Sequence, residues 1–517
     1  MLRYTLRALI LTGLLIPFLQ KACGAPPALD ASALSARIDQ WIDERLVKEK
    51  IPPARPTDDA EFFRRLSLDL NGRIPSLSQL ADFLDDTRPD KRRHWIDELM
   101  DGPDNAPLYV KHLTHFWRRQ LLAQTPPQSD SVVAPLESWL RKQVKANTPY
   151  DRLVRGLLTD PEAVGFFLAN ENKAENLASR TSRLLLGVKL ECAQCHDDRS
   201  GGKWKQTQFW EFAAFFGGLR RDSSDPIVAT PLPQKAGPAR IRVSESKTWV
   251  KTRFPDGREP SWEGTTTPRQ ALAEWITHRD NPWFARAAVN RLWHYFFGIG
   301  LIDPVDGLGL EDNRPSHPEL LDELVDQFVA HDFDLKYLIR ATTLSRTYQR
   351  TSKQTHPRQD EKRLFARASA RALTAEQLHD SLVLVTGYRP ARTSPAAGRA
   401  ADSSPRVEFL APFDDPDSQP ADFQASVQQV LMMMNGKFTE EVTSSSRSTS
   451  VAAIIDSQRA GTLAKRIEDL YLVTLSRKPR PHEAKRLLEY AEAHENKQAL
   501  RDIFWSLLNS TEFVLNH

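Results

Sequence analysis

Two cysteines and a histidine in the middle of this 517-residue chain have a spacing that points to a definite chemistry. Cys192, Cys195 and His196 form the sequence Cys-x-x-Cys-His, by which proteins attach c-type haem. Two thiols three residues apart can bond to the two vinyl groups of one porphyrin, and the adjacent imidazole can ligate the iron. The motif therefore predicts one covalent haem c with His196 as the proximal iron ligand, and it does not specify a reaction.

Two other uses of the cysteine pair stay open at this point, namely a short redox disulfide and a zinc site. Zinc needs four protein ligands, and no second cysteine pair exists, since the remaining cysteine is Cys23. A thioredoxin-like redox motif would require a βαβ pattern around the cysteines, which the sequence lacks. Haem is therefore the favoured interpretation.

A second axial ligand for the predicted iron has three candidates. His112 and His115 have the spacing that places them on one face of a helix, and Met100 lies just before that helix. A filled sixth position would favour electron transfer, whereas an open one would permit catalysis. For each candidate the alternative is an ordinary structural side chain.

Three other features, namely the aromatic residues after the motif, a histidine and an acidic loop, each have a chemical and a structural interpretation. The aromatic residues that follow the motif would wall a haem pocket or form helical core: Trp204, Phe209, Trp210, Phe212, Phe215 and Phe216. His317, at a helix entrance, is predicted to cap or anchor that helix. An acidic loop is predicted to serve turn formation rather than calcium binding, because its spacing is not that of an EF-hand: Asp303, Asp306, Glu311 and Asp312.

The N-terminus has the pattern of an export signal. Arg3 and Arg7 precede an apolar run over 8–19, and small residues follow at Ala22 and Gly24. We predict a signal peptide over 1–24 and a periplasmic or secreted mature protein. The apolar run is too short for an ordinary membrane span, and no second one of that length follows, so no stable membrane span is expected after processing.

Charge and motifs exclude several functional classes. The formal net charge of +3 falls to about zero without the three cationic residues of the signal segment, so no global basic field for nucleic acid remains. We find no phosphate-binding loop, no Ser-His-Asp order with nucleophile-elbow glycines and no paired carboxylates with arguable geometry. The sequence therefore identifies no hydrolase, and whether the protein is an enzyme stays open.

The elements that position these residues are predicted to be mainly α-helical. Capping boxes begin helices at Ser76 and Thr374, and Thr267 followed by proline begins another. Apolar periodicity predicts further helices over 106–122, 135–158, 176–190, 207–217, 282–297, 318–330, 334–347, 421–435, 460–476, 481–495 and 498–512. We predict two helical domains, 25–220 and 266–517, joined by a proline-rich linker over 221–265 that holds a small β-hairpin near Ile241 and Val250.

Two long stretches resemble known families. The segment from Phe62 to Pro75 and the segment from Leu185 to Asp197 resemble the planctomycete-type cytochrome-c-associated domain of unknown function. The second half resembles its usual companion, the PSD-type domain of unknown function, in segments that include Asn290-Arg291-Leu292-Trp293 and Ser316-His317-Pro318. The resemblance implies an exported protein, haem at the motif and a secreted partner of sulfatase-like fold.

This chain departs from the family pattern at two places. Asp198 stands where the family usually has a second histidine after the motif, and Tyr295, beside His294, stands where another histidine is common. Any role of those two family histidines is lost or moved here.

These observations predict an exported c-type haem protein that works in electron transfer or another redox reaction. The alternative is a secreted, non-enzymatic binding or scaffold protein with a structural or redox cysteine pair, whose second domain docks a partner or polysaccharide. The second domain is expected to cover the haem domain or present it to a partner. The contrary expectation is a separate helical core joined only by the linker.

Overall fold

The computed structural model describes residues 27–122, 130–198, 204–218, 234–243, 248–310, 312–388, 405–410, 454–455 and 461–517. The predicted signal peptide and the predicted helix over 421–435 lie outside these ranges, as do residues 221–233 and 244–247 of the predicted linker. The described part of the chain is mainly α-helical, as predicted.

The first half of the chain contains ten α-helices within the described ranges: α1 (Ala31–Glu49), α2 (Asp59–Asn71), α3 (Leu77–Asp85), α4 (Lys91–Asp101), α5 (Ala106–Leu121), α6 (Asp130–Lys145), α7 (Tyr150–Thr159), α8 (Val164–Ala169), α9 (Ala174–Leu186) and α10 (Gln206–Ala213). The described remainder contains α11 (Pro268–Ile276), α12 (Phe284–Phe297), α13 (Pro318–Ala330), α14 (Leu335–Leu344), α15 (Ala375–Thr386), α16 (Pro405–Leu410), α17 (Leu463–Leu475), α18 (Pro481–Glu492), α19 (Asn496–Leu508) and α20 (Thr511–Val514).

The predicted helix starts are confirmed at the level of single hydrogen bonds. Ser76, Thr267 and Thr374 each cap a helix in a reciprocal capping box with the glutamine three residues later. Helix α15 ends at Gly387, whose φ of 66° lies in the left-handed region that glycine adopts without steric cost. Local sequence therefore determined these ends.

One predicted helix, 135–158, was wrong, because the chain breaks there into α6 and α7. Helix α6 ends at Lys145, Asn147 takes a positive φ of 46°, and Pro149 stands immediately before α7. The residue before a proline is disfavoured in the helical region, which ends the helix despite apolar residues that continue the same period.

Two short antiparallel strand pairs complete the described secondary structure. Strands β1 (Arg240–Arg242) and β2 (Trp249–Lys251) pair with Ile241 opposite Val250, which confirms the predicted hairpin. Strands β3 (Arg371–Ala372) and β4 (Leu515–Asn516) were not predicted, and they fasten the last residues of the chain to the segment before α15.

One hydrophobic core runs through both of the regions that the sequence separates. It extends from Leu34 to Ala366, and within it α1 packs against α13 and α14, α7 against α11, and α9 against α12. A smaller core joins α15, α17 and α19 to Leu68 and Ile74 of the N-terminal region. The domain boundaries stay a prediction, but the two regions share buried apolar side chains.

Within the described ranges, no helix combines the length and the apolar character needed to cross a membrane.

Candidate functional site

The Cys-x-x-Cys-His motif lies on an exposed turn whose apolar residues pack into the core. A single turn of 3₁₀-helix, Leu190–Ala193, follows α9, and Leu190 and Ala193 are both fully buried. Cys192 and Cys195 are exposed, and both thiols are free. The apolar residues of the turn thus face the core while the sulfur atoms face outward, as covalent attachment of a ligand requires.

Helix α10 holds this turn through hydrogen bonds to its backbone. The indole Nε1 of Trp210 donates to the carbonyl oxygen of Gln194 at 3.0 Å, and Nε2 of Gln206 donates to that of Cys195 at 2.7 Å. The backbone N–H of Gln206 also donates to Oδ1 of Asp197 at 2.9 Å. The motif is therefore positioned by the helix that follows it as well as by α9.

The imidazole of His196 is exposed and has a defined orientation. Its Nδ1 lies 2.8 Å from the backbone oxygen of Asp197. Because a carbonyl oxygen only accepts, Nδ1 must carry the proton, which leaves the lone pair of Nε2 free. This arrangement suits an iron ligand, since ligating histidines usually donate their other N–H to a carbonyl or carboxylate. Asp197 thus orients His196 through its backbone rather than its carboxylate.

The thiol of Cys192 has a raised pKa. Partial desolvation of the sulfur by its neighbours is the largest cause, although the residue as a whole is exposed, and the negative charges of Glu191 and Asp198 add to it. Glu191 itself is bound by Arg183 of α9, whose Nε donates to Oε1 at 2.9 Å. Before any modification, Cys192 is therefore a protonated thiol at neutral pH.

The aromatic residues after the motif form core. Phe209, Phe212, Phe215 and Phe216 are fully buried, and Trp210 is nearly so. Trp204 is half-buried, with its ring 6.3 Å from that of Trp283. These rings therefore stabilise the core next to the motif. This agrees with the structural interpretation of the aromatic residues that follow it.

The three candidates for a second iron ligand are engaged elsewhere. Nε2 of His112 lies 2.6 Å from the hydroxyl of Tyr295, and its Nδ1 lies against Gly72, where an added Cβ would stand 2.3 Å from it. Nε2 of His115 lies 3.7 Å from Oε1 of Glu137, and Met100 is fully buried in the core. Among the described residues, none of these contacts involves Cys192, Cys195 or His196, and a second iron ligand stays a prediction.

A cavity of about 350 Å³ lies between the two sequence regions, and it does not include the motif. Its walls come from α5, α9, α12, β3, α15 and the C-terminal strand β4. The lining side chains that carry charge or an imidazole are His112, His115, Arg119, Arg180, Arg183, Lys189, Arg291, His294, Asp306, Arg371 and Glu376. Sequence reasoning missed this site, because its residues come from six separate segments of the chain.

Burial keeps two of the lining histidines uncharged. It lowers the pKa of His112 to about 4, and it does the same for His294, where the nearby Arg291 contributes further. At neutral pH both imidazoles are therefore neutral hydrogen-bonding groups, while the arginines and the lysine of the cavity carry positive charge.

A buried polar cluster on α2 was also missed. Asp69 accepts hydrogen bonds from Arg371 at 2.8 and 2.9 Å, from the hydroxyl of Tyr348 at 2.8 Å and from Asn516 at 2.7 Å. Arg65 on the same helix donates to the carbonyl oxygens of Tyr348 and Arg350. The sequence did contain a sign of this cluster, namely charged residues inside the apolar run from Phe62 to Pro75. A charge that is buried needs partners.

His317 and one residue of the acidic loop, Asp306, make structural contacts. His317 makes no capping hydrogen bond to α13, but it is buried, with Nδ1 3.0 Å from Oγ of Ser316 and its ring against Phe365. Asp306 forms an ion pair with Arg291 at 3.0 Å. Glu311 lies outside the described residues, within which no group of three or more His, Cys, Asp or Glu side chains could hold a metal ion.

Comparison with known families gives two matches along the chain. Residues 37–221 match PSCyt2, described as a protein of unknown function (DUF1549), and residues 268–401 match PSD1, described as a protein of unknown function (DUF1553). The order of the two matches is that of the two resemblances found in the sequence. Searches of curated proteins and of solved structures found no match for the chain.

Proposed function

We propose that this chain, which combines a PSCyt2 domain with a following PSD1 domain, carries one haem c at Cys192 and Cys195 and transfers electrons outside the cytoplasm. The observation that carries the proposal is the orientation of His196. Its Nδ1 is bound by the carbonyl oxygen of Asp197, so Nε2 is available beside two free, exposed thiols. Bound haem would supply the redox centre.

Protein groups around the motif have roles that fit this proposal. The two thiols would hold the porphyrin covalently, and His196 would ligate the iron through Nε2. Helix α10 keeps the turn in place through Trp210 and Gln206. The paired charges of Arg183 and Glu191 adjoin the motif, and charge near a haem tunes its redox potential.

The PSD1 region contacts the segment that leads into the motif, and these contacts support the proposal. Helix α9, which leads into the motif turn, packs against α12, and the backbone N–H of Leu308 donates to the carbonyl oxygen of Gly187 at 2.9 Å. The second region thus braces the base of the motif. This packing supports a role for the second region in positioning the motif.

The experiment is expression of the full chain with its signal segment in a host that matures c-type cytochromes. We expect a protein whose haem stays bound through acid and organic extraction and through denaturing electrophoresis. Cys192→Ala and Cys195→Ala should each weaken covalent retention, and His196→Ala should change the iron spectrum while haem stays attached. Mass spectrometry of the same material should find a mature N-terminus near Ala25.

The matched control is His278→Ala, which removes an exposed histidine far from the motif in sequence. It should leave both spectrum and attachment unchanged. A colourless wild-type protein from a competent host would contradict the haem proposal. It would transfer support to the alternative, a secreted binding or scaffold protein.

Partners are part of the same proposal. A secreted protein of sulfatase-like fold, or a polysaccharide, would use the exposed motif face or the second region. Pull-down with the purified mature chain, compared between the wild type and the Cys192→Ala variant, distinguishes a partner that needs the motif from one that does not.

A further inference from the structure

The cavity between the two regions has an excess of positive charge. Two carboxylates, Asp306 and Glu376, line it together with six cationic side chains: Arg119, Arg180, Arg183, Lys189, Arg291 and Arg371. His112 and His294 are neutral at neutral pH, because burial lowers the pKa of each to about 4, so these two imidazoles do not add to the charge. Some of these six cations form ion pairs with carboxylates of the protein.

Four of the six have a carboxylate partner. Arg371 binds Asp69, and Arg291 binds Asp306. Arg119 lies 3.3 Å from Glu376, and Arg183 binds Glu191. These pairs are held by the protein itself, and they leave little free charge for a ligand.

Arg180 and Lys189 are different. The guanidinium of Arg180 makes only a 3.5 Å contact with the carbonyl oxygen of Gln120, and neither residue has an ion pair with a described carboxylate. Arg180 is half-buried, and its pKa is lowered by burial first and then by the charges of Arg183 and Arg291, against which the carboxylates of Asp306 and Glu191 act only in part and without forming an ion pair with it. An unpaired, partly desolvated arginine is costly, and an anion in the cavity would relieve that cost.

The rest of the wall suits a hydroxyl-bearing molecule rather than a bare inorganic ion. Amide and hydroxyl side chains line it at Gln120, Thr374, Gln377 and Asn516. Part of their hydrogen-bonding capacity is used within the protein: Gln120 accepts from Arg291, Gln377 donates to the carbonyl oxygen of Leu68, and Asn516 donates to Asp69. Among the described residues, Nε2 of Gln120, the hydroxyl hydrogen of Thr374 and Oδ1 of Asn516 keep capacity for sugar hydroxyls. The volume of about 350 Å³ falls in the range of small-molecule sites, about 300 to 1,000 Å³.

We infer that this cavity binds an acidic sugar, with Arg180 and Lys189 as the groups that recognise its negative charge. The ligand would contact both regions of the chain at once, because α9 belongs to the first and α15 and β4 to the second. This inference does not depend on haem at the motif, since Cys192, Cys195 and His196 do not line the cavity.

The test is isothermal titration calorimetry on the full mature chain. The probes are sodium glucuronate, the galacturonate disaccharide, glucose and sodium sulfate. We expect at least one acidic sugar to bind at least ten-fold more tightly than glucose and than sulfate, with an affinity that falls as salt is raised. Arg180→Gln and Lys189→Gln should each weaken that binding about ten-fold, the scale of one charge-assisted hydrogen bond.

The matched control is Arg269→Gln, because Arg269 is also half-buried, lacks a carboxylate partner among the described residues and does not line the cavity. Its affinity should equal that of the wild type. Thermal melting shows whether each variant is folded, and Lys189→Gln keeps the test valid if Arg180→Gln is not. Equal binding of glucose, equal binding of sulfate, or no binding of either acidic sugar would each overturn the inference.

Discussion

The carboxylate of Asp69 on α2 accepts two hydrogen bonds from Nη2 of Arg371, at 2.8 and 2.9 Å, across 302 residues of sequence. Both residues are buried, at 3% and 9% exposure. The backbone oxygen of Asp69 also accepts from the hydroxyl of Tyr295, and Arg371 donates to the backbone oxygen of Tyr295. One buried pair thus joins the N-terminal region to α12 and to the strand that holds the C-terminus.

Replacing Asp69 with Asn should strongly destabilise the protein. The substitution leaves the guanidinium of Arg371 buried without a counter-charge, which costs about 3–5 kcal/mol of unfolding free energy. Urea unfolding followed by tryptophan fluorescence measures this as a lower midpoint. Asp332→Asn is the control, because that carboxylate pairs with Arg279 on the exposed surface, where such a pair contributes about 0–1 kcal/mol. Equal midpoints for the two variants would contradict the role of the buried pair.

Gly72→Ala should destabilise the protein for two reasons. Gly72 has a φ of +69°, and an added Cβ would stand 2.3 Å from Nδ1 of His112. Gly237→Ala separates backbone strain from the steric clash, because Gly237 also has a positive φ, +93°, but no atom lies within 4 Å of the added Cβ. We expect the control to lose about 1–3 kcal/mol from backbone strain alone and Gly72→Ala to lose more, as measured by thermal melting. A smaller loss at Gly72 would show that His112 moves aside freely.

Buried histidines should make the protein less stable as pH falls below about 6.5. Burial lowers the folded-state pKa of His112, His294 and His317 to about 4, from 6.5. Between those values the unfolded chain binds more protons, so stability is present above pH 6.5 and is lost as pH approaches 4. Each site contributes a slope of up to about 1.4 kcal/mol per pH unit.

Urea midpoints between pH 4.5 and 7 test this dependence. His112→Gln should flatten the slope, because glutamine can still donate to Tyr295 without titrating. An unchanged slope in His112→Gln would mean that the pKa of His112 is not lowered in the folded protein.

Before haem attachment, Cys192 should react slowly with iodoacetamide at pH 7. Its pKa is raised by burial and by nearby carboxylates, so little thiolate is present. Glu191→Gln should speed alkylation severalfold, because it removes one negative charge and frees Arg183 beside the thiol. Glu162→Gln, which breaks an exposed pair with Lys142, should not change the rate. Mass spectrometry of the peptide that contains Cys192 gives both rates.

A chain cut between the two regions should remain one particle. The test inserts a protease site within 221–233; α1, α7 and α9 pack against helices of the second region, and these contacts do not depend on the peptide connection. We expect both fragments to elute together at the size of the intact protein. The fragment 25–220 produced alone should expose the apolar face that α11–α14 cover and self-associate. Separation of the cut fragments at neutral pH would support independent domains.

Short-range sequence signals predicted the mainly α class, several helix ends and the hairpin near Ile241. The helix ends depend on a few adjacent residues: a cap, a proline or a glycine in the left-handed region. The Cys-x-x-Cys-His spacing predicts haem attachment, which stays a prediction. The break at Asn147 shows the limit, because apolar periodicity continued across Pro149 and gave one helix where there are two.

Tertiary structure alone decided which distant residues meet. The pairing of Asp69 with Arg371, the cavity that contains Arg180 and Lys189, and the continuity of the core between the two regions all join segments far apart in the chain. Periodicity shows which face of a helix is apolar, but it does not show which helix covers that face. A buried charge predicts a partner without naming it, because the partner is chosen by packing of the whole chain.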